Sequence, residues 1–421
     1  MRFYNKLNNI HYFKILVIYI VLLLLGCNNK VKNVEEKLKI NNINIVLENS
    51  ASMKGYFNGN EFKSTVTNLA ALFDNLRETK NKYIISNINY HIFNDKLKLK
   101  IFSNNSYDFC NKINNGLIEY CNTTPIDDFL KYIIDSTKND DIYILVSDFV
   151  IDKVQENEIP TLQSKFNVIF NQAVKKNITL TVYRFMTDFS GTYYPSKGTP
   201  KIIQNVKRPY YIWIIGPNKL VTKITNEIDN NNLITPNNQF TFGINFSNIE
   251  QEPLHLSNYI GSFRTEKENN KVFKNIKADK NNIFQFTIGF NLSNLPKYYH
   301  NCNFLDSSIQ ISCLQNQVLS KKFYTKDDFN KYLSKNEVSI AKNFTHFLTI
   351  KMKGKFDKYD ELNITFNNYL PKWIDVYSTD YDGYYDNITL SKTFAISHIL
   401  KGIQQAYLYK SSFSYNYKFN K

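Results

Sequence analysis

The chain has 421 residues, is 43% hydrophobic and carries a formal net charge of +15. That length allows two domains, and that apolar content excludes wholesale disorder. The positive charge is spread, with no Lys/Arg run of the kind that marks a nucleic-acid site, so no nucleic-acid partner is expected.

Arg2, Lys6 and Lys14 come before an apolar run from Ile15 to Leu25. Eleven apolar residues suit the core of an export signal and are too few to span a bilayer. The run ends Leu24-Leu25-Gly26-Cys27, which resembles the bacterial lipobox. That resemblance implies cleavage before Cys27, lipidation of its thiol and stable attachment to a membrane of the cell envelope, facing the periplasm or the cell surface. Losing residues 1–26, which contain three cations and no acid, lowers the net charge to +12. Residues 27–40 read as a polar tether.

Four cysteines remain, Cys110, Cys121, Cys302 and Cys313, in two pairs eleven apart. An even number at matched local spacing in an exported chain predicts Cys110–Cys121 and Cys302–Cys313 disulfides.

From residue 41 to 232 the hydrophobic period alternates between strand and helix. Ile43–Leu47 reads as a buried strand. Glu61–Thr79 reads as a helix, with Phe62, Val66, Leu69, Leu72, Phe73 and Leu76 on one face. Tyr83–Phe93 and Leu97–Phe102 read as strands turning at Asn94-Asp95, and Ile126–Ser136 as a helix behind Pro125 with Thr124 as N-cap. Ile142–Val146 reads as a strand buried on both faces, Thr161–Lys175 as a helix and Ile178–Phe185 as a strand. A loop with Gly191 and Gly198 follows, then strand Tyr210–Ile215 and helix Asn218–Ile228. This order predicts an α/β, doubly wound and mostly parallel sheet of Rossmann-like type.

Two strand ends and one loop before a helix carry oxygen. After Leu47 the chain reads Glu48-Asn-Ser50-Ala-Ser52-Met; alternate residues leaving a strand point the same way. One carboxylate and two hydroxyls therefore converge at a carboxyl-terminal sheet edge, where α/β proteins hold hard cations. This stretch resembles the first motif of the von Willebrand factor A (vWA) family, Asp-x-Ser-x-Ser, with Glu48 in place of Asp. Thr124, with Thr123 beside it, and Asp148 at the end of Ile144-Leu-Val-Ser-Asp stand where that family has its second and third motifs; Phe149 stands where Gly usually follows. The resemblance covers about 190 residues. It implies a metal-ion-dependent adhesion site holding Mg²⁺ or Mn²⁺ through Glu48, Ser50, Ser52, Thr124 and Asp148. It also implies a binding protein, not an enzyme, that takes an acidic ligand group through the cation, with a protein partner and no small-molecule substrate. The alternative is a metal-free, degenerate vWA scaffold in a cell-envelope complex. A hydrolase is third, since no base is visible near a nucleophile.

Other chemistry is sparse. No phosphate-binding or dinucleotide loop occurs, and His91, His255, His300, His346 and His398 have no zinc spacing. Asp380-Tyr-Asp-Gly383 with Asp386 reads as a Tyr-rich turn, and Trp213 and Trp373 as core. Residues 233–390 change character, with short alternating strands at Phe240–Phe246, Ile283–Leu292, Phe344–Lys351 and Leu362–Phe366. They predict a β-rich antiparallel, sandwich-like domain. Residues 391–421 read as a C-terminal amphipathic helix, Ser391–Leu408, and a tail.

Overall fold

The structure, a computed structural model, describes residues 37–79, 82–93, 99–122, 124–151, 158–196, 198–257, 259–335, 337–356, 358–410 and 412–420. The expected leader, Cys27, most of the expected tether and Thr123 lie outside the described residues. Among those described, no helix is long and apolar enough to cross a membrane.

The protein is mixed α/β, with one large mixed sheet and further antiparallel sheets. In chain order the first part comprises β1 (Leu38–Glu48), α1 (Asn60–Thr79), β2 (Tyr83–Phe93), β3 (Leu99–Ser103), α2 (Ser106–Asn114), α3 (Ile126–Ser136), β4 (Asp141–Ser147), α4 (Ile159–Lys175), β5 (Ile178–Tyr193), β6 (Lys201–Pro217), α5 (Asn218–Asn230) and β7 (Asn238–Phe242). The strands form a seven-stranded sheet in the order β3-β2-β1-β4-β6-β5-β7. β1 is central and parallel to both neighbours, Leu47 lying opposite Ile92 of β2 and Val146 of β4. Its residues from Ile45 to Leu47 are fully buried because helices cover both faces.

The expectation of a mostly parallel sheet is corrected on one side. β6 runs antiparallel to β4, and β5 is antiparallel to both β6 and β7. The cause is the link between β5 and β6. It spans only residues 194–200, and a parallel crossover needs a dozen or more, so the two strands can only fold as a hairpin. Gly191 lies inside β5, where the strand crosses the 3₁₀ turn Ala51–Asn58: a Cβ there would come within 2.7 Å of the Gly55 Cα.

Residues beyond 243 contribute β8 (Glu250–Leu254), β9 (Ser262–Thr265), β10 (Val272–Lys277), β11 (Ile283–Asn291), β12 (Ile309–Cys313), β13 (Gln317–Thr325), β14 (His346–Lys353) and β15 (Asp360–Asn367). Two short strands, β16 (Ser378–Thr379) and β17 (Thr393–Phe394), α6 (Ile396–Ala406) and β18 (Ser412–Phe419) complete the chain. One sheet has the order β12-β15-β18-β10-β9 and another β13-β14-β11-β8. An aromatic core that includes Phe286, Phe290, Phe366 and Tyr417 lies between them. The tail is therefore a strand. Phe413, Tyr415, Tyr417 and Phe419 alternate with Ser414, Asn416 and Lys418, and the last strand pairs along its whole length with β15. β7 belongs to the first sheet, and α6 packs back onto α4, close enough that a Cβ on Gly402 would meet the Gln163 carbonyl at 2.2 Å. Trp213 is fully buried, and Trp373 half-buried against the same core.

Candidate metal centre

β1 and β4 end side by side, so Glu48, Ser147 and Asp148 reach the same sheet edge. The chain then leaves β1 through Asn49 and Ser50 into the 3₁₀ turn, which starts at Ala51 and carries Ser52. The Ser50 and Ser52 hydroxyls lie 2.9 Å apart. A third strand-like segment docks beside them. Ser50 pairs in parallel with Cys121, the Cys121 amide donates to the Asn49 carbonyl at 2.9 Å, and the Asn49 amide group donates to the Glu119 carbonyl at 2.7 Å. This pairing delivers Thr124 to Glu48. The Thr124 and Ser147 hydroxyls donate to the Glu48 carboxylate, one to each oxygen. Thr124 therefore does not cap α3; Pro125 holds the N-cap position.

All five expected residues converge. Glu48, Ser50, Thr124 and Asp148 are each no more than 4% exposed, and Ser52 is half-buried at the rim. Asp148 turns the chain by accepting the Val150 amide at 3.2 Å. Phe149 next to it adopts φ 53°, a left-handed backbone that favours glycine. The conformation costs a bulky residue about 1–2 kcal/mol. Its ring offsets this by complete burial, stacked 3.9 Å from Trp213.

Two residues complete the site that sequence reasoning missed. Ser147 was hidden as the last residue of an apolar strand. Arg208 was hidden in Lys207-Arg208-Pro209, which reads as surface charge, yet it is 4% exposed. Its guanidinium lies over Tyr193 at 4.4 Å and Phe189 at 5.5 Å, and donates to the Leu390 carbonyl at 3.3 Å. Tyr56, which donates to the Pro209 carbonyl at 2.7 Å, shares that environment.

The electrostatics follow from burial. Desolvation first, and the Asp148 charge second, push the Glu48 carboxyl up to about 8, against the pull of the Ser147, Thr124 and Ser50 hydroxyls. Asp148 is raised by burial and drawn down by Arg208, the Val150 amide and Ser52. Burial works against the Arg208 charge, but Tyr56, Tyr193 and Asp148 more than offset it, so its pKa sits above the ordinary value. Arg208 thus answers Asp148, while Glu48 is held by hydroxyls. The donor set, three hydroxyls and two carboxylates short of positive charge, fits a hard divalent ion such as Mg²⁺ or Mn²⁺. Among the described residues no three His, Cys, Asp or Glu cluster at metal spacing, so any such ion would depend on the hydroxyls.

The remaining candidates separate. Cys110, Cys121, Cys302 and Cys313 form no disulfide here, so neither expected bridge is present. Cys110 on α2 faces the Thr67 carbonyl of α1, whereas Cys121 faces Asn49; Cys313 donates to Asp360 at 2.8 Å. Asp380 meets His398 at 3.1 Å, Asp382 accepts the Ser196 amide, and Asp386 caps the short helix Asn387–Leu390. These acids point to three different partners and form no common site. Comparison of the chain with protein-family models, with curated proteins and with solved structures finds no match.

Proposed function

We propose that the protein is an exported, lipid-anchored binding protein of the bacterial cell envelope, with a vWA-like domain that binds an acidic group of a protein partner through a divalent cation. The observation that carries this reading is the convergence of Glu48, Ser50, Ser52, Thr124 and Asp148 at the end of one central strand. The run β3-β2-β1-β4, with β3 reversed, supports the resemblance; the antiparallel β6 beside β4 departs from it. Phe149 in a glycine-like conformation supports the match of the third motif. Ser50, Ser52, Thr124, Glu48 and Asp148 would hold Mg²⁺ or Mn²⁺, and the bound ion would offer an open position to a carboxylate. Half-buried Ser52 marks the side from which a ligand would approach. Lipidation of Cys27 would supply the anchor.

A second reading, a metal-free scaffold, is favoured by Arg208. It already answers part of the acidic charge, and the Thr124 and Ser147 hydroxyls already satisfy Glu48. Melting of the full chain distinguishes the two. Mg²⁺ or Mn²⁺ at about a hundredfold excess over its dissociation constant is expected to stabilise by about 2.7 kcal/mol. Chelator is expected to reverse the gain, Ser50→Ala to reduce it, and Glu48→Asp to keep or increase it. A melting temperature blind to both ions in the parent and in Glu48→Asp would hand the site to the scaffold reading.

A further inference from the structure

At the other end of the sheet, β6 reaches Pro217 and α5 begins at once with Asn218. Because β6 runs against β4, this helix start lies at the edge where β4 begins, across the sheet from Glu48; a Cβ on Gly216 would approach the Asp141 carbonyl to 3.0 Å. The N-terminus of this 13-residue helix has no side-chain cap and no acid in its first turn. Such an end presents amide N–H groups and partial positive charge. Lys219 and Lys223, four apart, add two ammonium groups on the same side.

That first turn borders a cavity of about 260 Å³ whose polar lining is Asn218, Lys219, Thr222, Lys223, Asn245 and Asn294, with Ile249 and Leu295 beside them and no acidic side chain. Thr222 is 3% exposed, and its hydroxyl has no partner among the described residues, although a buried hydroxyl needs one. The Asn218 side chain is committed to the Thr179 hydroxyl at 3.1 Å, which fixes the start of the helix. A neighbouring cavity of about 540 Å³ shares Asn218, Lys219 and Asn245 and has the exposed Tyr409 at its wall.

We propose that the cavity at the start of α5 binds a phosphate group, carried by a soluble ligand or by a phospholipid headgroup. Helix amides, two ammonium groups and a buried hydroxyl are all donors. A tetrahedral dianion has acceptor oxygens enough for all of them, where a carboxylate has two. The site shares no residue with the metal centre, so its fate is independent of that reading.

The test uses the full chain in chloride buffer at fixed ionic strength, with inorganic phosphate followed by ³¹P line broadening and with vesicles of phosphatidylcholine with or without phosphatidic acid. The parent is expected to bind saturably, Lys219→Gln roughly tenfold more weakly, and Lys219→Gln/Lys223→Gln not at all. Thr222→Val is expected to weaken binding severalfold. Melting in chloride shows that each variant is folded. Lys267→Gln/Lys280→Gln, exposed in a bend and a turn elsewhere, is expected to bind as the parent does, and chelator to change nothing. Capture on phosphatidic-acid vesicles that the Lys219/Lys223 double variant loses assigns the phosphate to lipid. Saturable phosphate binding without such capture assigns it to a soluble ligand. Neither kind of binding in the parent, or equal binding in the folded double variant, overturns the proposal.

Discussion

Replacing Arg208 by methionine is expected to destabilise the metal-free protein by about 3 kcal/mol, the scale on which removing one partner of a buried charge pair acts. Arg208 is buried among Phe189, Tyr193 and Tyr56 and is the positive charge that draws down Asp148. Methionine fills much of the same space, so the loss reports charge more than volume. Asp148→Asn alone removes the acid that Arg208 serves. Combined with Arg208→Met it is expected to recover at least about 1 kcal/mol through coupling of neighbouring sites. The measurement is a double-mutant cycle by urea unfolding in chelator. Strict additivity would show that Arg208 supports the fold by packing and not by its charge.

The pH dependence of the chelated protein is the second large effect. Glu48 is raised in the folded state to about 8 from an ordinary 4.5, so the folded protein binds its proton more tightly than the unfolded chain. Its stabilising contribution is full below pH 4.5 and is lost as pH rises through about 8. His346, lowered to about 4 by burial, acts in the opposite sense: its contribution is full above pH 6.5 and lost as pH falls. Between pH 6.5 and 8, the histidine is spent and the carboxyl dominates, so stability is expected to fall by about 2 kcal/mol across that window. Glu48→Gln keeps the shape and removes the titration; its curve there is expected to be flat. Saturating Mg²⁺ is expected to flatten the parent's curve as well, since an ion takes the place of the proton. A parent curve already flat in chelator would mean that Glu48 is ionised without help.

Much of this site could be read from the sequence because strand ends are local. Ile43–Leu47 and Ile142–Val146 are continuous apolar runs, and the polar residues that follow them must emerge at a sheet edge. Helices such as Glu61–Thr79 were legible from periodicity, with the structure adding only Asn60. What was not legible depends on distant partners. Thr124 before Pro125 has the local chemistry of a cap, and only the docking of Cys121 on Ser50 turns its hydroxyl to Glu48. Arg208 is chemically a surface residue; it is buried because β6 carries it behind Asp148. The direction of β6 lay in a short linker, whose length mattered more than the apolar pattern of the strand. The alternation from Phe413 to Phe419 was a readable strand signal hidden by its position in the tail. The helix Ser106–Asn114 has few apolar residues, Phe109 and Ile113 being the buried ones, too weak a period to find.

That last strand has a consequence for how the molecule is made. β18 lies between β15 and β10 in the middle of its sheet, and α6 just before it covers α4 of the first sheet. The five-stranded sheet cannot close until residues 412–419 are present, nor can α4 be covered until residues 396–406 are, however early the preceding 395 residues have left the ribosome. Pairings of such long sequence separation form slowly. A growing chain can therefore assemble the core that runs from Ile40 to Ile234 early, while the sheet that β18 centres waits for the last residues of the chain.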